Sequence, residues 1–207
     1  MSTPTPSAQL LRLLQDQRLV AIIRAPDADM AVSRVEQLWA AGVQLVEISL
    51  STPEAFSALR TLSASGRGGR WLGAGTVLTA TDLHGAADAG ARFAVTPTTD
   101  PEVLGAAAER GTPIIPGAAT PTEVQRAVAL GATAVKLFPA SLWTFRAFGD
   151  LRQVFPGVPF VPTGGIDAGQ APRWIDEGAV AVGLGSAVTA RGVDVADLLE
   201  RLRGAQP

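Results

Sequence analysis

The chain's chemistry centres on one lysine. Of 17 lysine and arginine residues only Lys136 is a lysine, and it lies in the apolar segment Ala134–Pro139, which is typical of a buried strand. Burial lowers the pKa of a lysine amine, whereas arginine stays protonated in proteins. A neutral amine in an enclosed site attacks a carbonyl carbon and forms a Schiff base. The sequence therefore favours a nucleophilic amine, the alternative being a snorkelling or ion-paired lysine.

Glu47 is the second candidate catalytic residue. It lies in Leu45–Leu50 and is the only carboxylate inside a predicted strand. Schiff-base chemistry needs a group that moves protons, and a carboxyl group near a desolvated amine can have a pKa close to the working pH. The alternative is that Glu47 serves only as a salt-bridge partner of Lys136.

Two glycine-rich turns, Pro162–Ile166 and Gly183–Ala187, follow the last two predicted strands. Glycine lets the backbone N–H groups approach an anion closely, and a serine hydroxyl adds a donor. The two turns together predict a phosphate site, to which the Ser186 hydroxyl can contribute. A dinucleotide fingerprint is rejected because the third glycine and the downstream acidic residue are missing.

Composition excludes several other kinds of site. The chain has no cysteine and one histidine, so thiol catalysis, zinc fingers and multi-histidine metal sites are ruled out, and we expect no cofactor. His84 is predicted to be a solvated residue on a helix. A formal net charge of −2 gives no basic field for nucleic acid or anionic membranes. Without a signal peptide or an apolar span, a cytoplasmic location is expected.

These residues must be positioned by a repeating strand–helix pattern. Short apolar runs alternate with segments of helical spacing, many of which end at glycine. The runs begin near Leu19, Gln44, Trp71, Arg92, Thr112, Ala134, Pro159 and Val180. Eight even units after a short helix, Ala8–Gln17, predict an α/β fold of the (β/α)8 TIM-barrel type in a single domain over 1–207, with 1–7 flexible. An open doubly wound sheet is the alternative.

In such a barrel the chemistry lies where the strands end, because the loops after the strands converge there. The polar residues at these predicted strand ends are Arg24, Glu47, Ser49, Thr76, Thr96, Lys136, Thr163 and Ser186. We therefore expect Lys136 and Glu47 to lie close together at one face of the barrel.

Five segments in order carry a resemblance to a known family. They are Glu47–Pro53, Gly73–Val77, Pro116–Thr120, Val135–Pro139 and Pro162–Ile166. Together they closely resemble the 2-keto-3-deoxy-6-phosphogluconate and 2-keto-3-deoxy-6-phosphogalactonate aldolases, from about Arg18 to Ala190. The resemblance implies a metal-independent class I aldolase that releases pyruvate and glyceraldehyde 3-phosphate from a phosphorylated keto acid. It also implies a homotrimer.

The resemblance also assigns roles by position. Lys136 would form the Schiff base and Glu47 would shuttle protons. The pyruvyl site would be lined by Thr76, Pro97 and Phe138, and Arg24 would bind the acid end or hydroxyls of the substrate. The phosphate would be held by Gly164, Gly165, Gly185 and Ser186, with Thr163 near the aldehyde-side hydroxyls.

Two positions depart from the family pattern. Ser51 stands where the gluconate branch commonly has an arginine that grips the pyruvate carboxylate. Thr144–Phe145 replaces a Gly-Pro after the sixth strand, in a loop expected to border the site. The motifs slightly favour the galactonate substrate. Alternatives are a 4-hydroxy-2-oxoglutarate aldolase and a phosphosugar-acid binding barrel without turnover, whereas a metal-dependent epimerase or a decarboxylase is disfavoured by composition.

Overall fold

Strands and helices alternate along the computed structural model, which describes residues 3–65, 69–190 and 192–206. The strands are β1 (Leu19–Ile23), β2 (Leu45–Ser49), β3 (Trp71–Gly75), β4 (Phe93–Val95), β5 (Ile114–Ile115), β6 (Gly117–Ala118), β7 (Val135–Leu137), β8 (Phe160–Pro162) and β9 (Val182–Leu184). The helices are α1 (Pro6–Gln17), α2 (Ala28–Ala40), α3 (Ala55–Ala64), α4 (Ala80–Asp88), α5 (Pro101–Arg110), α6 (Pro121–Ala129), α7 (Phe145–Val154), α8 (Ala171–Asp176), α9 (Ser186–Thr189) and α10 (Val195–Gly204). Each strand except β6 begins within two residues of the start of a predicted run.

The strands form two parallel sheets. One has the order β5-β4-β3-β2-β1-β9 and the other β6-β7-β8. The predicted fifth strand is divided into β5 and β6 at Pro116, which has no N–H to donate to a neighbouring strand. At the other boundary, Thr163 and Gly183 form a parallel bridge beside β8 and β9. The structure is thus an α/β fold with parallel strands.

Helix α1 begins at Pro6, two residues before the predicted start, and ends at Gln17 as predicted. The earlier start has a local cause, because the Thr5 side chain accepts a hydrogen bond from the Ala8 N–H and proline fits the first helical turn. Part of the segment expected to be flexible is therefore helical. Met1 and Ser2 lie outside the described residues, so that part of the expectation stays a prediction.

The core has two parts. The larger packs the helices against the outer faces of the strands. The second lies among the strands, near their amino ends, and contains Leu10, Leu14, Val20, Leu45, Trp71, Phe93, Val95, Ile115, Ala134, Val161 and Ala181. Leu10 and Leu14 bring α1 into this second cluster. Gly73 leaves room for the Phe93 ring, since a Cβ at this glycine would lie 2.6 Å from the Phe93 Cε atoms.

None of the helices within 3–65, 69–190 and 192–206 combines the length and the hydropathy needed to cross a bilayer.

Candidate active site

A cavity of about 460 Å³ opens at the carboxyl ends of the strands. Its walls are formed by Ile22, Arg24, Arg34, Glu47, Lys136, Phe138, Thr163, Gly164, Gly165, Ile166, Gly183, Gly185, Ser186, Ala187 and Thr189. The cavity brings together every predicted site residue except Thr76 and Pro97. Residues far apart in sequence thus meet because successive parallel strands end at the same face.

Lys136 lies in the middle of β7, paired with Gly117 on one side and Val161 on the other. Its residue surface is only 5% exposed, and its Nζ lies 4.6 Å from the centroid of the Phe138 ring. Burial lowers the pKa of the Lys136 amine below its usual value, and the nearby Arg24 charge lowers it further, while Glu47 acts in the opposite direction. Burial therefore shifts the amine towards its neutral, nucleophilic form.

Glu47 lies on β2 and is 2% exposed. The absence of a side chain at Gly75 makes room for it, since a Cβ there would lie 2.8 Å from the Glu47 carboxyl carbon. Burial raises the pKa of the Glu47 carboxyl group, and the charges of Lys136 and Arg24 oppose this rise. Burial thus shifts the pKa values of Lys136 and Glu47 towards their neutral forms, and the two groups share one cavity.

Thr163 closes the cavity between β8 and β9. Its Oγ1 donates a hydrogen bond to the Val161 carbonyl oxygen at 3.1 Å, and the residue is 5% exposed. The side chain packs over Gly183, where a Cβ would lie 2.9 Å from the Thr163 Cγ2 atom. Glycine at position 183 therefore allows the threonine to reach the cavity.

The loop after β8 turns through Gly164 and Gly165, whose φ angles are 91° and 75°. These positive values favour glycine over other residues. A Cβ at Gly164 would lie 3.0 Å from the Phe138 ring, and one at Gly165 would lie 2.6 Å from the Ser141 Cβ. The double glycine therefore lets the backbone run close to the loop that follows Lys136.

Thr76 and Pro97 do not line the cavity. The Thr76 hydroxyl lies 2.9 Å from the Ser49 hydroxyl, which lies 2.7 Å from the hydroxyl of Ser51. Ser51, which stands where the gluconate branch commonly has an arginine, is thus the last of three hydroxyl residues in mutual contact. The Pro97 backbone packs against Gly117 in β6. A pyruvyl-binding role for Thr76 and Pro97 stays a prediction.

Thr144 and Phe145 themselves are not among the residues of the cavity wall. The Thr144 hydroxyl caps α7 by accepting from the Ala147 N–H at 3.1 Å. The Phe145 ring packs on Trp174, with 4.8 Å between the centroids. Both side chains therefore make contacts that hold helix α7 in place. Ser141, earlier in the same loop, is the residue that packs against Gly165 beside the cavity.

Arg34 is a cavity residue that the sequence reasoning missed. It lies on α2, and its Nη1 donates a hydrogen bond to the backbone oxygen of Arg24 at 2.7 Å. Periodicity indicated only which residues of α2 face the core. It contained no signal that a long side chain on the second turn of α2 reaches the end of β1. Ile22, at the penultimate position of β1, could have been found from the strand-end rule.

No metal-binding cluster of three or more histidine, cysteine, aspartate or glutamate side chains occurs in the described part of the chain. His84 is less exposed to solvent than predicted. Helix α4 carries this residue as predicted, but α4 packs against α3 and α5, so the ring is half-buried and its Nδ1 is buried without a hydrogen-bond partner.

Known proteins resemble this chain along nearly its whole length. The family described as KDPG and KHG aldolase matches residues 11–201. A probable 2-dehydro-3-deoxy-6-phosphogalactonate aldolase of Rhizobium meliloti is 33% identical over 90% of this chain and 88% of that protein. The 2-dehydro-3-deoxy-6-phosphogalactonate aldolase of Escherichia coli is 33% identical over 81% of this chain and 82% of its own.

Solved structures agree with the sequence relatives. A structure described as native KDPGal has a TM-score of 0.81 at 31% identity and covers 90% of this chain and 93% of its own. The KDPG aldolase of Legionella pneumophila, with pyruvate captured as a covalent carbinolamine, has a TM-score of 0.82 at 28% identity and covers 99% of both chains. By sequence and by fold, this chain belongs to the KDPG and KHG aldolase family.

Proposed function

We propose that this protein is a class I aldolase, a lyase that cleaves 2-keto-3-deoxy-6-phosphogalactonate or its gluconate epimer to pyruvate and glyceraldehyde 3-phosphate. The observation that carries the proposal is Lys136, a buried amine with a lowered pKa in a cavity shared with Glu47. Family membership agrees with this chemistry. No metal ion is needed, since an iminium nitrogen draws electrons from the adjacent carbons.

The reaction uses the Lys136 amine as the nucleophile and the Glu47 carboxyl group as the acid and base. The Lys136 Nζ adds to the C2 ketone, and the carbinolamine loses water to give an iminium ion. Glu47 provides the proton that the departing hydroxyl group requires, and the resulting carboxylate then takes the proton of the C4 hydroxyl. The C3–C4 bond breaks, its electron pair enters the enamine, and the aldehyde leaves. Protonation at C3 and hydrolysis release pyruvate and restore the free amine.

The remaining cavity residues position the substrate. The phosphate is bound by the turns that contain Gly164–Gly165 and Gly185–Ser186, whose backbone approaches the cavity. Phe138 holds the three-carbon end, and the family resemblance adds Thr76 and Pro97 to this role. Arg24 binds the substrate carboxylate or hydroxyls, and Thr163 lies beside the hydroxyls of the aldehyde half.

Galactonate is the proposed epimer, because the Glu-Ile-x-Leu-x-Thr-Pro pattern that begins at Glu47 favours it and relatives named for that substrate cover most of the chain. Cleavage of 4-hydroxy-2-oxoglutarate is the second candidate. A solved structure described as a 4-hydroxy-2-oxoglutarate aldolase and phosphogluconate aldolase is 36% identical over 98% of this chain, with a TM-score of 0.81. This smaller substrate needs only the pyruvyl half of the site.

For the architecture, we propose a single domain in which the two sheets close into one (β/α)8 barrel. Support comes from the chain continuity of β5 and β6 through Pro116 and from the bridge between Thr163 and Gly183. The last strand, β9, lies next to the first, β1, as closure requires. A homotrimer and a cytoplasmic location remain proposals that follow from the resemblance.

The test is pyruvate release from both epimeric phosphorylated acids, their unphosphorylated forms and 4-hydroxy-2-oxoglutarate, with Lys136→Arg as the matched control. The proposal predicts the highest kcat/KM with the phosphorylated galactonate acid and background release from the variant. Saturable binding of the acids without pyruvate release would overturn the proposal in favour of a binding protein. A preference for the gluconate epimer would overturn the choice of substrate alone.

A further inference from the structure

Arg34 is a charged cavity residue for which the reaction above has no use. It is half-buried on α2 and lines the cavity, although it lies ten residues beyond Arg24 in the sequence. The helix that carries it is fixed at its start, where the Asp27 carboxylate accepts from the Met30 N–H at 2.7 Å. The hydrogen bond to the Arg24 backbone oxygen, 2.7 Å long, then holds the guanidinium group over the end of β1.

The guanidinium group of Arg34 retains unused donors. Arginine has five N–H donors, and the structure assigns one hydrogen bond to this side chain. Within the described ranges, neither Arg24 nor Arg34 forms an ion pair with a carboxylate. A half-buried cation in this state is stabilised by an anion that enters the cavity.

The position of Arg34 in the cavity indicates which end of a substrate it contacts. β1 pairs with β9, so the start of α2 is next to the segment that follows β9, and Arg34 shares the cavity with Ser186, Ala187 and Thr189 of α9. The charge of Arg24 shifts the pKa values of Lys136 and Glu47, whereas Arg34 does not contribute to either shift. Arg24 is thus the arginine whose charge acts on the reacting amine, while Arg34 lies with the cavity residues of α9.

The substrate's charge also calls for a second arginine. A phosphorylated keto acid brings one carboxylate and a phosphate monoester of charge about −1.5 to −2. Opposite these stand Arg24 and Arg34, each with a single positive charge, because the iminium that forms on Lys136 is accompanied by the Glu47 carboxylate. Arg24 alone would leave most of the phosphate charge without a cationic partner.

We propose that Arg34 is a specificity-determining residue that binds the phosphate of the substrate, at the end opposite the carbon that reacts with Lys136. This inference rests on the proposed function for the identity of the substrate, and it adds a side-chain cation to a phosphate site otherwise made of backbone and hydroxyl donors. The long reach of arginine from α2 and its fork of donors suit phosphate.

The test compares phosphorylated with unphosphorylated substrate in Arg34→Met and Arg34→Lys. Loss of charge-assisted hydrogen bonds predicts that Arg34→Met lowers kcat/KM for the phosphorylated acid by roughly 10- to 100-fold, mainly through KM. With the unphosphorylated acid kcat/KM stays as in the original protein, and Arg34→Lys retains part of the preference. Arg126→Met, at an exposed position on α6 outside the cavity, is the control and leaves both values unchanged.

A binding measurement separates this inference from the aldolase proposal. Glycerol 3-phosphate is titrated into the original protein and Arg34→Met by calorimetry, where the inference predicts binding that the variant loses. If no keto acid releases pyruvate but this binding depends on Arg34, the aldolase proposal fails and the phosphate site stands. Equal loss with both substrates, no change in either, or glycerol 3-phosphate binding that is absent or independent of Arg34 would overturn the inference.

Discussion

The two ends of the strands are built from different kinds of residue. At the amino ends, Leu10 and Leu14 of α1 pack with Phe93 and other apolar side chains, and these three residues are fully buried. At the carboxyl ends, the buried set includes Glu47 and Lys136 together with the hydroxyls of Ser49, Thr96 and Thr163. The same strands therefore carry an apolar core at one end and buried titratable groups at the other.

The difference separates stability from chemistry. Each apolar side chain buried at the amino ends contributes favourable transfer free energy, about 1.5–3 kcal/mol for a leucine or a phenylalanine. Burial at the carboxyl ends opposes the charged forms of Lys136 and Glu47, which is unfavourable for folding near neutral pH. The apolar residues at the amino ends thus supply folding free energy that offsets the unfavourable burial of Lys136 and Glu47. Each prediction below tests one side of this contrast.

Replacing the reactive amine is expected to have the largest effect. Lys136→Met should reduce pyruvate release to background, since the variant has no nucleophile. Its free energy of unfolding at neutral pH should equal or exceed that of the original protein in urea denaturation. The sign follows from the pKa: because it is lower in the folded state, stability decreases as the pH falls from the unfolded value of about 10.4, and methionine removes this penalty. Lys136→Arg, which keeps the charge, should lose activity without this gain.

Glu47→Gln should come next. The amide keeps the shape of the side chain but cannot exchange protons, so kcat should fall by roughly 10²- to 10⁴-fold. The readout is steady-state pyruvate release, and Lys136 should still bind pyruvate covalently, though more slowly. A variant with the original kcat would show that Glu47 is only a partner of the lysine.

Leu14→Ala should lower stability and leave activity unchanged, the opposite of the result expected for Lys136→Met. Truncation of this fully buried side chain is expected to lower the free energy of unfolding by about 2–5 kcal/mol, measured by urea denaturation. Activity per folded molecule should not change, because α1 is at the opposite end of the strands. Val154→Ala is the matched control, since Val154 is 67% exposed and its truncation should leave stability unchanged. A loss of kcat in folded Leu14→Ala would contradict the separation of the two ends.

The smallest effect is expected from Arg24→Met on the pH dependence of kcat/KM. The Arg24 charge lowers the pKa values of both Lys136 and Glu47, so its removal should move both limbs of the profile to higher pH. Arg24 is exposed, so added salt should reduce the shift. Arg34→Met should leave the limbs in place. A shift to lower pH in Arg24→Met would contradict the electrostatic account.

The positions of most strands and helices could be predicted from local sequence, because apolar runs mark strands and a glycine often follows the end of a helix. Gly42 and Gly90, for example, have the positive φ angles expected after helices. Lys136 and Glu47 were predictable since a charged residue inside an apolar strand is itself unusual. Arg34 was not, because its role depends on how α2 packs over β1. The positions of Thr76 and Phe145 likewise depend on distant partners, Ser49 and Trp174.

The most direct test of the central claim is reduction with borohydride in the presence of pyruvate, followed by mass spectrometry of the digested protein. The account predicts a stable reduced pyruvyl adduct on the peptide that contains Lys136, and none in Lys136→Met. An unmodified Lys136 peptide under these conditions would contradict it.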